Sequence, residues 1–157
     1  MNDMNAAAQH PDIHGFVTLH IPSQYGYLRV LRQSVMDTCA RAGLSEFDAA
    51  QLEMAVDEAC ANIIEHSYGR SKDASIKGDA GIHVNLFQRK DQVVVEMYDH
   101  GQGFDFEEHE SVDPEEYMDR GQERGLGMFI IRKFVDDVAY QRGTPKGNCL
   151  KLVKHIH

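Results

Sequence analysis

Two periods divide the chain: short stretches in which apolar and polar residues alternate, and longer ones in which apolar residues recur every three or four positions. Phe16, Val17, Leu19 and Ile21 predict a first strand over 15–21 closed by Pro22, with Ser23 placed to cap a helix. That helix carries Leu28, Leu31, Val35 and Cys39 at helical spacing and stops near Gly43. Ser45 caps a second helix, whose stripe is Leu52, Ala55, Val56, Ala59 and Ile63 and which runs to about Ser67. The polar stretch 69–81 reads as a loop. Ile82, Val84 and Leu86 alternate with His83, Asn85 and Phe87 in a second strand, and Arg89-Lys90-Asp91-Gln92 turns the chain into a third over 93–98. Val93-Val94-Val95 is apolar on both faces, which predicts a central strand covered on at least one side. A short helix is predicted over 114–118. Gly125-Leu126-Gly127 opens a longer one with Ile130, Ile131, Phe134 and Val135 at core spacing. Strands around 138–142 and 149–153, joined by the turn-rich Gly143-Thr144-Pro145-Lys146-Gly147, close the domain.

The order is strand, two helices, two strands, a long loop, a helix and a hairpin. It predicts an α/β (α+β) two-layer sandwich, a mixed, mostly antiparallel sheet covered on one face by helices. Residues 1–12, small, polar and broken by Pro11, are expected to form a disordered leader, and 13–157 a single domain without internal repeats.

Composition narrows the function classes. With 157 residues, 42% of them hydrophobic, the chain can bury a real core. It has no apolar run of membrane-spanning length and no basic-then-apolar N-terminal profile, so a cytoplasmic protein is expected. Cys39, Cys60 and Cys149 are odd in number, far apart and set in apolar patterns, which predicts free buried thiols. No pair of the nine histidines has metal-ligand spacing within one element. A net charge of −9 argues against direct binding to nucleic acid or an anionic membrane. The acidity is concentrated in 104–123, where nine acids face one base, Arg120. Such a segment is either simply solvated or a surface for a basic partner.

Three places hold candidate chemistry. Glu58 and Asn62 lie one helical turn apart on the same side, where a carboxylate can act as a base and an amide oxygen can hold a hard cation. On its own, such a pair is common on solvated helix faces. Asp99-x-Gly101-x-Gly103 follows the central strand; its glycines permit a sharp turn and close approach of a ligand, and its aspartate can accept a hydrogen bond from an amino group. The same residues also suit a plain strand-ending turn. Arg124-Gly125-Leu126-Gly127 stands at a helix start, whose free N–H groups favour anions. Neither glycine cluster is a Walker-type loop or a dinucleotide GxGxxG.

In that order and those contexts, Glu58-x-x-x-Asn62, Asp99-x-Gly101-x-Gly103 and Gly125-x-Gly127 resemble the Bergerat (GHKL) ATP-binding fold of gyrase, heat-shock-90, histidine-kinase and MutL proteins. Within it, the chain looks like the small stand-alone branch, the anti-sigma factor serine/threonine-protein kinases of the partner-switching type. The resemblance covers residues 14–156 and extends to Ala55-Val56-Asp57-Glu58-Ala59, His66-Ser67-Tyr68 and Gly125-Leu126-Gly127-Met128-Phe129-Ile130-Ile131.

The resemblance implies ATP and Mg²⁺ as cofactors. Glu58 would be the catalytic base, Asn62 the Mg²⁺ ligand, and Asp99 the reader of the adenine amino group, with Gly101 and Gly103 shaping its pocket. Gly125, Leu126 and Gly127 would bind the phosphates, Arg124 would approach the terminal phosphate, and a lid would span about 104–124. One departure stands out: the family usually begins its last strand with Gly-Thr, and here the pair is Gly147-Asn148. The function implied is phosphorylation of an anti-anti-sigma (STAS) antagonist and sequestration of a sigma factor, by a homodimer that contacts neither nucleic acid nor membrane. The alternatives are a nucleotide-binding regulatory module that holds a partner without phosphate transfer, and a kinase whose regulated partner is not a sigma factor.

Overall fold

In the computed structural model, which describes residues 12–68, 81–104 and 126–157, five strands form one sheet in the order β1-β2-β3-β5-β4. The strands are β1 (Ile13–Pro22), β2 (Gly81–Arg89), β3 (Gln92–Asp99), β4 (Asp137–Thr144) and β5 (Gly147–His155). All four pairings are antiparallel. The helices are α1 (Leu28–Ala42), α2 (Glu46–Asn62) and α3 (Leu126–Phe134).

The central place expected for the Val93-Val94-Val95 strand holds: β3 is third of five. Its alternate residues Val93, Val95 and Met97 join Ile82, Val84, Leu86, Leu150 and Leu152 beneath the helices. Val94 lies on the opposite face with Phe87 and Val153 in a smaller apolar cluster. The predicted stripe of α2 is the inner surface of that helix, since Leu52, Ala55, Val56, Ala59 and Ile63 are all buried. Cys39 and Cys60 are buried and Cys149 half-buried, all as free thiols.

Local signals work where the backbone needs them. Ser45 Oγ accepts the Asp48 N–H at 3.0 Å and starts α2, and α1 ends at Gly43. Ser23 is a correction. The chain makes a 3₁₀ turn, Tyr25–Tyr27, before α1; neither it nor α1 has a capping side chain, and the buried Ser23 hydroxyl has no partner among the described residues. Backbone bonds close this connection themselves, Gln24 N–H to Pro22 O at 2.8 Å and Tyr27 N–H to Gln24 O at 3.1 Å.

The second helix also departs from expectation at its far end. Beyond Asn62 it widens into a π-helical turn, Ile63–Tyr68. The turn sets the Tyr68 hydroxyl between two elements: it donates to Gly81 O at 2.8 Å and accepts the His100 N–H at 2.7 Å. At the other end of the helical layer, buried Lys154 of β5 donates to Phe134 O and Gln51 Oε1, both at 2.8 Å, with Asp48 Oδ1 at 3.8 Å. One ammonium thus ties the end of α3 and the start of α2 to the sheet.

Candidate functional site: a carboxylate and an amide beneath a glycine helix

Glu58 and Asn62 meet the second residue of α3. A Cβ placed on Gly127 would lie 2.7 Å from Glu58 Oε2 and 3.8 Å from Asn62 Nδ2. With no side chain at Gly127, the start of α3 comes this close to the pair without displacing the Glu58 carboxylate. Met128 is buried beside it and its sulfur accepts from Asn62 Nδ2 at 3.4 Å. That contact orients the amide, and Asn62 Oδ1, an oxygen of the kind Mg²⁺ takes from a protein, has no hydrogen bond among the described residues.

The acids around Glu58 are not equivalent. Asp57 is bound through both oxygens to Arg32 Nε at 2.8 Å, and Glu65 accepts from the Tyr25 hydroxyl. The Tyr25 hydroxyl is pushed up to about 12 by burial and by that bond to Glu65. Glu58 has no hydrogen-bond partner among the described residues. Burial, and then the neighbouring charges of Asp57 and Glu65, raise its carboxyl above the ordinary value. A half-buried carboxylate with a raised pKa and open lone pairs is suited to accept a proton.

The turn after β3 forms the second half. Asp99 is buried, and its Oδ1 accepts from Ser67 Oγ, from Asn148 Nδ2 at 3.0 Å and from the Gly101 N–H at 3.0 Å. A Cβ on Gly101 would fall 2.4 Å from Ser67 O, an impossible overlap with backbone. Gly103 has φ of 74°, and its N–H donates to Ser67 Oγ at 3.0 Å. The next residue, Phe104, stacks on Tyr140 with ring centroids 4.5 Å apart. Gly101 is therefore demanded by the fit of this turn against the π-helical turn, and Gly103 by its left-handed backbone and the close approach of Tyr140 and Arg142 from β4.

The structure brings Glu58, Asn62 and Gly127 together and joins Asp99, Gly101 and Gly103 in one hydrogen-bonded unit. Arg124, Gly125 and the side chain of Leu126 lie outside the described residues, as do the expected leader, the 69–80 loop, the short helix and all of the expected lid beyond Phe104. Two residues escaped assignment from sequence. Asn148 stands opposite Asp99 in the β3–β5 register and is buried against it. Ser67 was visible only as part of the His66-Ser67-Tyr68 run; its contact with Asp99 bridges 32 positions. The Gly147-Asn148 departure was the one signal that could have pointed to Asn148.

Residues 21–154 match the model of the histidine kinase-like ATPase domain. The chain is 27% identical over 146 residues to the serine-protein kinase RsbW of Bacillus subtilis (strain 168), covering 90% of this chain and 86% of that one. It is 28% identical over 145 residues to RsbW of Staphylococcus aureus (strain MRSA252), with 90% and 87% covered. Among solved structures, the SiaB-SiaC complex from Pseudomonas aeruginosa superposes with a TM-score of 0.62 at 16% identity, covering 98% of this chain and 96% of that one. The RsbU and RsbW domains of Rv1364c from Mycobacterium tuberculosis give 0.60 at 15%, covering 90% and 32%. The matched span holds the paired side chains of α2, the turn after β3 and the glycine start of α3, and the chain belongs to the histidine kinase-like ATPase domain family.

Proposed function

We propose that this chain is an ATP-dependent serine protein kinase that phosphorylates an anti-anti-sigma (STAS) partner and sequesters a sigma factor in a cytoplasmic partner switch, acting as a homodimer. The observation that carries the chemistry is the contact of Gly127 with Glu58 and Asn62. It supports the reading by setting a carboxylate that can act as a base and an amide that can hold a hard cation beside a helix start that favours anions. Relatives named serine-protein kinases support the reaction class.

Glu58 accepts the proton of the attacking serine hydroxyl as its oxygen bonds to the terminal phosphorus of ATP and the bond to ADP breaks. The raised carboxyl pKa makes Glu58 a better proton acceptor than an exposed glutamate. Asn62, its amide oriented by the Nδ2 contact with Met128, would hold Mg²⁺ through Oδ1. Mg²⁺, when bound, neutralises the phosphate oxygens of the nucleotide. The first turn of α3, with no side chain at Gly127, brings backbone N–H groups to the phosphates. Asp99 would accept a hydrogen bond from the adenine amino group.

The test is intact-mass measurement of a cognate STAS protein incubated with this chain and Mg-ATP. A gain of one phosphate is expected, and an unchanged partner overturns the kinase reading. Glu58→Ala suppresses transfer while sparing nucleotide binding, and Asn62→Ala removes the Mg²⁺-dependent part of that binding. Equal ternary binding by wild type and Glu58→Ala with no transfer from either would mark a binding module instead. A pull-down with and without ATP identifies whether the held partner is a sigma factor.

A further inference from the structure

The hydrogen bonds of Asp99 are lopsided. Among the described residues, its three donors, the Ser67 hydroxyl, Asn148 Nδ2 and the Gly101 N–H, converge on Oδ1, and none reaches Oδ2. A carboxylate oxygen has about two lone-pair directions, so Oδ1 is saturated and Oδ2 alone can accept from a ligand. The two side chains that impose this are themselves fully engaged. Ser67 Oγ also accepts the Gly103 N–H at 3.0 Å. Asn148 spends its second N–H on Gly101 O at 3.0 Å, and its oxygen on the Gly143 N–H at 3.1 Å. Both are buried, which prices any disorder in the carboxylate highly.

We propose that Ser67 and Asn148 are specificity-determining positioning residues of the nucleotide site: they clamp Oδ1 of Asp99 and leave Oδ2 as the acceptor for an exocyclic amino group. This deepens the ATP reading above and rests on it. A purine with N–H donors at that position is matched. One with a carbonyl there sets acceptor against acceptor, and one with hydrogen leaves Oδ2 buried and unpaired. Ser67 acts from the π-helical turn that begins just after Asn62, so the clamp is built on the same chain segment as the metal ligand. Asn148 acts from β5, holding at once the turn after β3 and the β4–β5 hairpin.

The experiment is equilibrium competition against a fluorescent ATP analogue on the full chain, using ATP, GTP and purine riboside triphosphate, which lacks the amino group. The proteins are wild type, Ser67→Ala, Asn148→Ala and Asn148→Thr, each checked for folding by circular-dichroism melting. Wild type is expected to prefer ATP over both competitors. Ser67→Ala and Asn148→Ala lower affinity for ATP about tenfold and leave that for purine riboside triphosphate unchanged, as loss of one aligned charge-assisted bond requires. Asn148→Thr, which keeps a donor for Oδ1, retains most of the preference and serves if the alanine variant does not fold. Equal weakening of ATP and purine riboside triphosphate would mean these residues only hold the fold and would overturn the clamp. An unchanged preference in Ser67→Ala would do the same. Wild type that binds ATP without base preference overturns the clamp alone, whereas wild type that binds no nucleotide overturns the ATP reading with it.

Discussion

Replacing Gly127 by alanine separates stability from catalysis, because the two respond to the new methyl group with opposite signs. A Cβ there lies 2.7 Å from Glu58 Oε2, about 0.7 Å inside the 3.4 Å at which ordinary contact begins. The atom it meets is the far end of a side chain with no hydrogen bond among the described residues, so Glu58 can swing away at little cost. Alanine is favoured over glycine in a helix by up to about 1 kcal/mol, less in the first turn. Folding stability should therefore stay level or rise slightly, read by urea denaturation. Catalysis has no such escape. Misplacing a reacting group by about 1 Å can cost about 100-fold, so a shift of about 0.7 Å should slow phosphate transfer by roughly 10- to 100-fold. Single-turnover transfer to the partner measures it, with nucleotide affinity followed separately. Gly127→Ala with full transfer rate would refute the assignment of Glu58 as base at this contact.

Three further outcomes follow from individual contacts. Glu58→Gln should stabilise the protein near neutral pH: the raised carboxyl means the folded state binds the proton more tightly, so wild type loses stability as pH rises from the ordinary carboxylate value through the raised one. Melting curves should show the variant's advantage shrinking as pH falls through the raised value and gone below the ordinary one, and an advantage independent of pH would contradict the assigned cause; in the wild type, the acid limb of transfer activity should lie above the ordinary glutamate range. Lys154→Ala should cost about 3 kcal/mol by urea unfolding, since it strips Phe134 O and Gln51 of a buried charged donor and leaves a cavity, whereas Lys154→Met, which keeps the volume, should cost clearly less. Ser45→Ala should cost about 1 kcal/mol through loss of the cap on α2, and Ser23→Ala, with no cap to lose, should cost less.

The alternation and the three- and four-residue spacings are enough to place the elements, because they record which faces must leave water. The stripe from Leu52 to Ile63 became the buried face of α2, and the doubly apolar Val93-Val94-Val95 became the middle strand. Glycine spacing marked the turn after β3, which a side chain at Gly101 would block, and the start of α3, where Gly127 lies against Glu58. What no local pattern carries is contact between distant residues. The sequence singled out Glu58 only through its motif, and packing supplies the physical difference from its acidic neighbours: Arg32 from α1 takes Asp57, Tyr25 takes Glu65, and Glu58, under Gly127, has no hydrogen-bond partner among the described residues. The widening of α2 into a π-helical turn, and with it the bonds of Ser67 and Tyr68 to the turn after β3, likewise depends on chain 30 residues away. Asn148 gained its place by register, because antiparallel pairing of β3 with β5 sets it opposite Asp99. Sequence alone determined the layers and the candidate groups; the tertiary fold decided which of those groups remain unpaired and face one another, since that depends on partners far along the chain.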